Sequence, residues 1–84
     1  MSPRVVYEEQ AINQAAGFLV GDPVGVAQVM DALDELADNP RPPESFPYGS
    51  PDLRRLRIGR YRVMDEIRDD TIVIGNIARR LAGR

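Results

Sequence analysis

Apolar positions in this chain change period twice. The tetrapeptide RVVY (4–7) has adjacent β-branched residues, as a short opening strand does. From Glu8 the spacing lengthens: Ile12, Ala15, Ala16 and Leu19 recur three and four residues apart, like one face of a helix. Glu8 and Glu9 fall in its first turn, where acids complement the helix dipole, and Gly21 is placed to stop it. Asp22 and Pro23 then read as an N-cap and first helical position. Val26, Val29, Met30, Leu33, Leu36 and Ala37 form the apolar stripe of a second helix, which Asn39 and Pro40 end.

The segment NPRPPESFPYGSP (39–51) holds five of the seven prolines, so it is read as neither helix nor interior strand. Phe46 and Tyr48 within it favour an ordered loop docked on the domain, the alternative being a partner-binding segment. Beyond it the period becomes two. LRRLRI (53–58), YRVMDEI (61–67) and TIVIGNI (71–77) are separated by Gly59–Arg60 and Asp69–Asp70, which predicts an antiparallel meander. Together these elements predict an α+β fold over one domain, residues 1–84. An N-terminal strand and a two-helix hairpin precede the meander, and the helices cover one face of the sheet as a two-layer sandwich.

Alternation puts Leu56 and Ile58 on one side of their strand and Arg55 and Arg57 on the other. Arg62 belongs to the same open face, and Arg79 or Arg80 reaches it from the last strand. The charge distribution sharpens this picture. Residues 1–50 carry two arginines against eight acids, residues 51–84 nine arginines against five acids, within a net charge of −2. All the cations are arginine, a planar group suited to bidentate phosphate or carboxylate contacts. The arginine face is therefore read as an anion-binding surface for a polyphosphate. Exposed strand faces also carry arginine simply to prevent edge aggregation, and that reading competes.

The 84 residues include no cysteine and no histidine, which leaves neither thiolate nor imidazole for a metal; no metal and no cofactor are expected. The apolar runs are too short for a membrane span and the N-terminus lacks signal-peptide order, so a cytoplasmic protein is expected. There is no phosphate-binding loop, dinucleotide fingerprint or nucleophile triad.

Taken in order, the opening strand, the two-helix hairpin, LRIGRYRVM and TIVIGNIARR resemble the RelE/ParE superfamily of toxins from type II toxin–antitoxin modules. The matching family pattern is LR-x-G-x-YR-[VL]-x-Y-x-[VI], followed by a last strand ending in H-x-x-x-R. The resemblance implies a RelE-like fold. It also implies an mRNA interferase, a ribosome-dependent endoribonuclease that inhibits translation and is neutralised by a cognate antitoxin. The ParE branch shares the fold but inhibits DNA gyrase without being an enzyme, and a degenerate toxin that only binds antitoxin is a third reading.

Carried over residue by residue, the resemblance makes Arg62, Arg80 and Arg55 candidate catalytic residues; Asp65 is a further candidate only because, with Glu66, Asp69 and Asp70, it is one of the conventional bases near the patch. The resemblance carries over Arg55, Arg57, Arg62 and Arg80, and with the neighbouring Arg54, Arg60 and Arg79 they are the candidates for binding RNA phosphates. The chain departs from the pattern at Asp65, where tyrosine is common, and at Asn76 and Arg79, where histidines are common. Many members also continue past the last strand to a catalytic tyrosine, where this chain ends at Arg84. Arginine is a poor general base, so the resemblance supports RNA binding better than efficient cleavage. Asp65 also breaks the apolar alternation of Val63 and Ile67. An ion pair with a neighbouring group, a twist to solvent and a catalytic base are the three accounts of it.

Overall fold

A computed structural model of the chain describes residues 3–80. The expected domain span therefore includes positions 1–2 and 81–84, which lie outside the described residues, as does Arg84. Strand β1 (Arg4–Tyr7) leads into helix α1 (Glu9–Gly21) and helix α2 (Pro23–Glu35). Strands β2 (Ser45–Pro47), β3 (Leu53–Ile58), β4 (Tyr61–Arg68) and β5 (Thr71–Arg79) follow. They form one mixed sheet in the order β1-β5-β4-β3-β2, with β1 parallel to β5 and every other pair antiparallel. The α+β arrangement expected from the sequence is thus present, with one addition: Ser45–Pro47 pairs with β3 as an edge strand. Pro47 is tolerated there because an edge position does not demand its missing N–H.

Both β3–β4 and β4–β5 close through two-residue turns, pairing Ile58 with Tyr61 and Arg68 with Thr71. Gly59 and Asp69 sit in these turns with φ of 57° and 50°. Glycine enters this left-handed region without steric cost, and aspartate is among the few other residues that tolerate it. The helices pack on one face of the sheet. Ala11, Val26, Val29, Leu33 and Leu36 meet Leu56, Tyr61, Val63, Ile72, Ile74 and Ile77 in a single buried cluster. Each large aliphatic side chain buried this way contributes about 1.5–3 kcal/mol. Among the described residues no helix is long and apolar enough to cross a membrane.

Two polar knots fix the helices to the sheet. Asp22 caps α2 by accepting from the Gly25 amide at 3.0 Å, and its other oxygen accepts from the Tyr61 hydroxyl at 2.7 Å. The Tyr61 hydroxyl and the Gly25 amide hold the Asp22 carboxyl below its ordinary range. A Cβ at Gly25 would collide with that carboxylate, so the cap requires glycine. The second knot lies where β1 has ended and the edge of β5 is uncovered. There Gln14 Oε1 accepts from the Ile77 amide at 2.6 Å, while its Nε2 donates to Asn76 Oδ1 at 2.8 Å. Gln14→Ala leaves the Ile77 N–H without this partner and is expected to destabilise the fold by about 1–3 kcal/mol. Urea denaturation measures it; an unchanged midpoint would show that the glutamine is dispensable.

Candidate nucleic-acid interface

The sheet face away from the helices is concave and forms an open groove of about 750 Å³. Strand alternation delivers Arg55 and Arg57 from β3 and Arg62 and Met64 from β4. Asn76, Ala78 and the adjoining Arg80 line it from the β5 side, and Phe46 of β2 and the adjoining Tyr48 wall it on the other. No acidic side chain is among its lining residues.

Arg57 and Arg62 are direct cross-strand partners, an arrangement of like charges that costs stability unless an anion joins them. Arg62 is held in place by its own hairpin, donating to the carbonyls of Gly59 at 3.0 Å and Tyr61 at 2.8 Å. Partial burial, followed by the charges of Arg57, Arg80 and Arg55, lowers its pKa from the ordinary guanidinium value. Four guanidinium groups thus act on one another across this face. A group so perturbed by its neighbours, lying in a cleft, is a candidate functional site.

Not every arginine expected at the surface is there. Arg54 alternates to the helix side with Leu56 and is buried, donating to Ser45 Oγ at 2.7 Å, the Ser45 carbonyl at 3.2 Å and the Pro51 carbonyl at 2.8 Å. It ties β2 and the loop to β3 rather than facing phosphate. Arg60 lies in the β3–β4 turn and approaches Asp22 at 3.6 Å, away from the groove. Arg79 lines one end of the groove while its guanidinium rests over the Phe18 ring, 5.0 Å from the centroid. Phe18 in turn meets Tyr61 edge-on at 5.4 Å.

Asp65 does not reach the groove either. It is 2% exposed on the helix-facing side, so it cannot serve as a base for anything bound in the groove. Among the described residues neither carboxylate oxygen has a hydrogen-bond partner. Burial pushes its pKa up to about 6, with Arg54, its cross-strand neighbour, opposing the rise. Of the expected ion pair only this proximity is present, because the Arg54 guanidinium is already directed at Ser45 and Pro51. Glu66 pairs with Arg68 through its carboxylate instead of lining the groove. Asn76, at the family's histidine position, accepts from Gln10 and Gln14 and so helps anchor α1.

Phe46 and Tyr48 are the site residues that pattern reading missed. The prolines around them obscured the i, i+2 spacing that places both on one side of an extended segment. Arg57 lies over the Phe46 ring at 5.8 Å and Arg55 over the Tyr48 ring at 5.4 Å.

The family described as ParE toxin of type II toxin–antitoxin system, parDE, matches residues 25–81. The chain belongs to this toxin family. The toxin's fold is shared by solved structures from toxin–antitoxin systems. It is similar to a chain of the archaeal RelE–RelB complex from Pyrococcus horikoshii, at 26% identity with a TM-score of 0.78, covering 100% of this chain and 99% of that one. A chain of the RelBE2 complex of Mycobacterium tuberculosis has 21% identity and a TM-score of 0.78, covering 95% of the toxin and 100% of that chain. A chain of the chromosomal ParDE system of P. aeruginosa has 13% identity and the same TM-score, covering 95% and 98%. No curated protein sequence matches the toxin.

Proposed function

We propose that this toxin acts on RNA as a ribosome-dependent mRNA endonuclease, and that a cognate antitoxin neutralises it. The supporting observation is the acid-free groove in which Arg55, Arg57, Arg62 and Arg80 converge beside exposed aromatic rings. Phosphoryl transfer within RNA needs attack by the ribose 2′-oxygen on phosphorus and departure of the 5′-oxygen, giving a cyclic phosphate and a free 5′-hydroxyl. Charge accumulates on the phosphorane oxygens, and fixed cations aimed at them lower that barrier. Arg62, pinned by two carbonyls and pressed by three other cations, is suited to this role.

Proton transfer is the weak part of the machinery. Among the described residues no carboxylate lines the groove, and the sequence has no histidine or lysine to supply a base. The 2′-proton therefore goes to solvent and the leaving oxygen takes one from solvent, with slow turnover as the result. The logarithm of the cleavage rate is expected to climb steadily with pH through neutrality. A plateau or bell there would overturn this assignment by revealing a titrating base.

Purified toxin added to a translating extract is expected to give A-site cleavages detected by primer extension; their absence would sink the endonuclease reading. The family match favours a second reading, inhibition of DNA gyrase in the ParE manner. A supercoiling assay on the same preparation separates the two. An antitoxin partner accords with the RelE–RelB, RelBE2 and ParDE pairs among the structural relatives, and its covering segment is expected to be acidic.

A further inference from the structure

The aromatic wall of the groove has no structural duty that explains its exposure. The chain has only five aromatic residues, and Phe46 and Tyr48 are 45% and 51% exposed. Phe46 lies in the three-residue edge strand β2, and Tyr48 follows directly after its last residue. Residues i and i+2 of a near-extended chain stand at most roughly 7 Å apart at the backbone, about twice the spacing of stacked bases. Rings so placed cannot both enter an ordinary base stack, but they fit two bases splayed from an unstacked strand. The guanidinium groups of Arg57 and Arg55 lie over these rings and beside Arg62, where the connecting phosphates would run.

We propose that Phe46 and Tyr48 are stacking platforms for two bases of single-stranded RNA, while Arg55, Arg57 and Arg62 hold the phosphates between them. This rests on the RNA-directed reading above and extends it to the form of the substrate. Ring faces accept any base, so the platform selects unpaired RNA over duplex with little sequence preference. Duplex RNA keeps its bases within the helix and offers only its backbone to the arginines. The arginines already resting on the rings favour the same geometry, since cation–π contact and base stacking share a ring's two faces.

The test is fluorescence anisotropy of a short, labelled, single-stranded oligoribonucleotide with purified toxin, across a series of salt concentrations. Competing ligands are the same sequence as duplex and polyglutamate. Phe46→Leu and Tyr48→Leu are each expected to weaken binding roughly five- to a hundredfold. Their salt dependence should match wild type because no ionic contact is lost. Arg62→Ala should instead reduce the salt slope by about 1. Phe46→Trp and Tyr48→Phe should retain binding, and circular dichroism checks that each variant is folded.

Wild-type affinity in both leucine variants would overturn the platform while leaving the RNA-directed reading intact. Competition by duplex RNA or polyglutamate as strong as that by the unlabelled single strand would also overturn it, exposing the groove as a general anion surface. No binding of RNA by wild-type toxin at low salt would overturn both readings together.

Discussion

Arg62→Ala is expected to lower RNA cleavage by about 10²–10³-fold, the usual loss when one preorganised donor to a developing oxyanion is removed. The prediction follows from the placement of this guanidinium. Its contacts with Gly59 and Tyr61 carbonyls fix its position before any ligand arrives, so little reorganisation is needed as charge builds on phosphorus. Arg62→Lys keeps the charge but loses the planar fork, and activity should fall between wild type and alanine. Arg80→Ala should rank next, because its charge also bears on Arg62. Single-turnover cleavage and growth arrest on induction measure these effects. Wild-type toxicity in both alanine variants would place the active surface elsewhere.

Asp65→Asn is expected to stabilise the fold at neutral pH by up to about 3 kcal/mol, an increment that shrinks towards zero below about pH 4. The sign follows from where the proton is held. In the unfolded chain the carboxyl titrates near its ordinary value of 3.8, whereas in the fold burial raises it to about 6. Between these values the folded state binds more protons, so this residue makes stability fall as pH rises from about 4 to 6. Above the folded pKa the loss is complete and level. Guanidinium denaturation of both proteins from pH 4 to 8 isolates the contribution as a difference. A wild type that matches or exceeds the variant at pH 8 would mean that the carboxylate has an effective partner. The Asp65→Tyr change suggested by family resemblance would place a larger polar side chain under the helices rather than in the groove, so it tests packing rather than catalysis.

The parts of this structure that were legible in the sequence are those in which one physical cause acts alone. The three- and four-residue spacing of Val26, Val29 and Leu33 gave the helix its buried face. The alternation of Arg55 and Arg57 with Leu56 and Ile58 located the groove's cationic side. Failures arose where two causes competed. Arg54 carries the charge expected of the patch but the parity of the core, and parity won because Ser45 and Pro51 satisfy its donors. Arg60 sits in a turn, whose geometry aims it at Asp22 rather than along the pleat. Phe46 and Tyr48 were hidden because prolines argued against a strand, and only an edge position makes strand and proline compatible. Asp65 announced itself by breaking alternation, yet sequence could not show that its nearest cation was engaged elsewhere.

The parallel pairing of β1 with β5 also bears on how the toxin is made. Arg4 is matched with Thr71, residues 67 apart in the chain, whereas the β3–β4 and β4–β5 hairpins close over two residues. Hairpins form within microseconds of becoming available, while the long crossover must overcome the entropy of closing everything between its ends. During synthesis the opening strand therefore emerges first and is paired last. Until β5 has left the exit tunnel, the β1 edge has no place in the sheet and the helices lack half of the apolar surface they cover. A nascent chain therefore cannot complete the sheet, or the groove that β5 helps to line, before β5 has emerged.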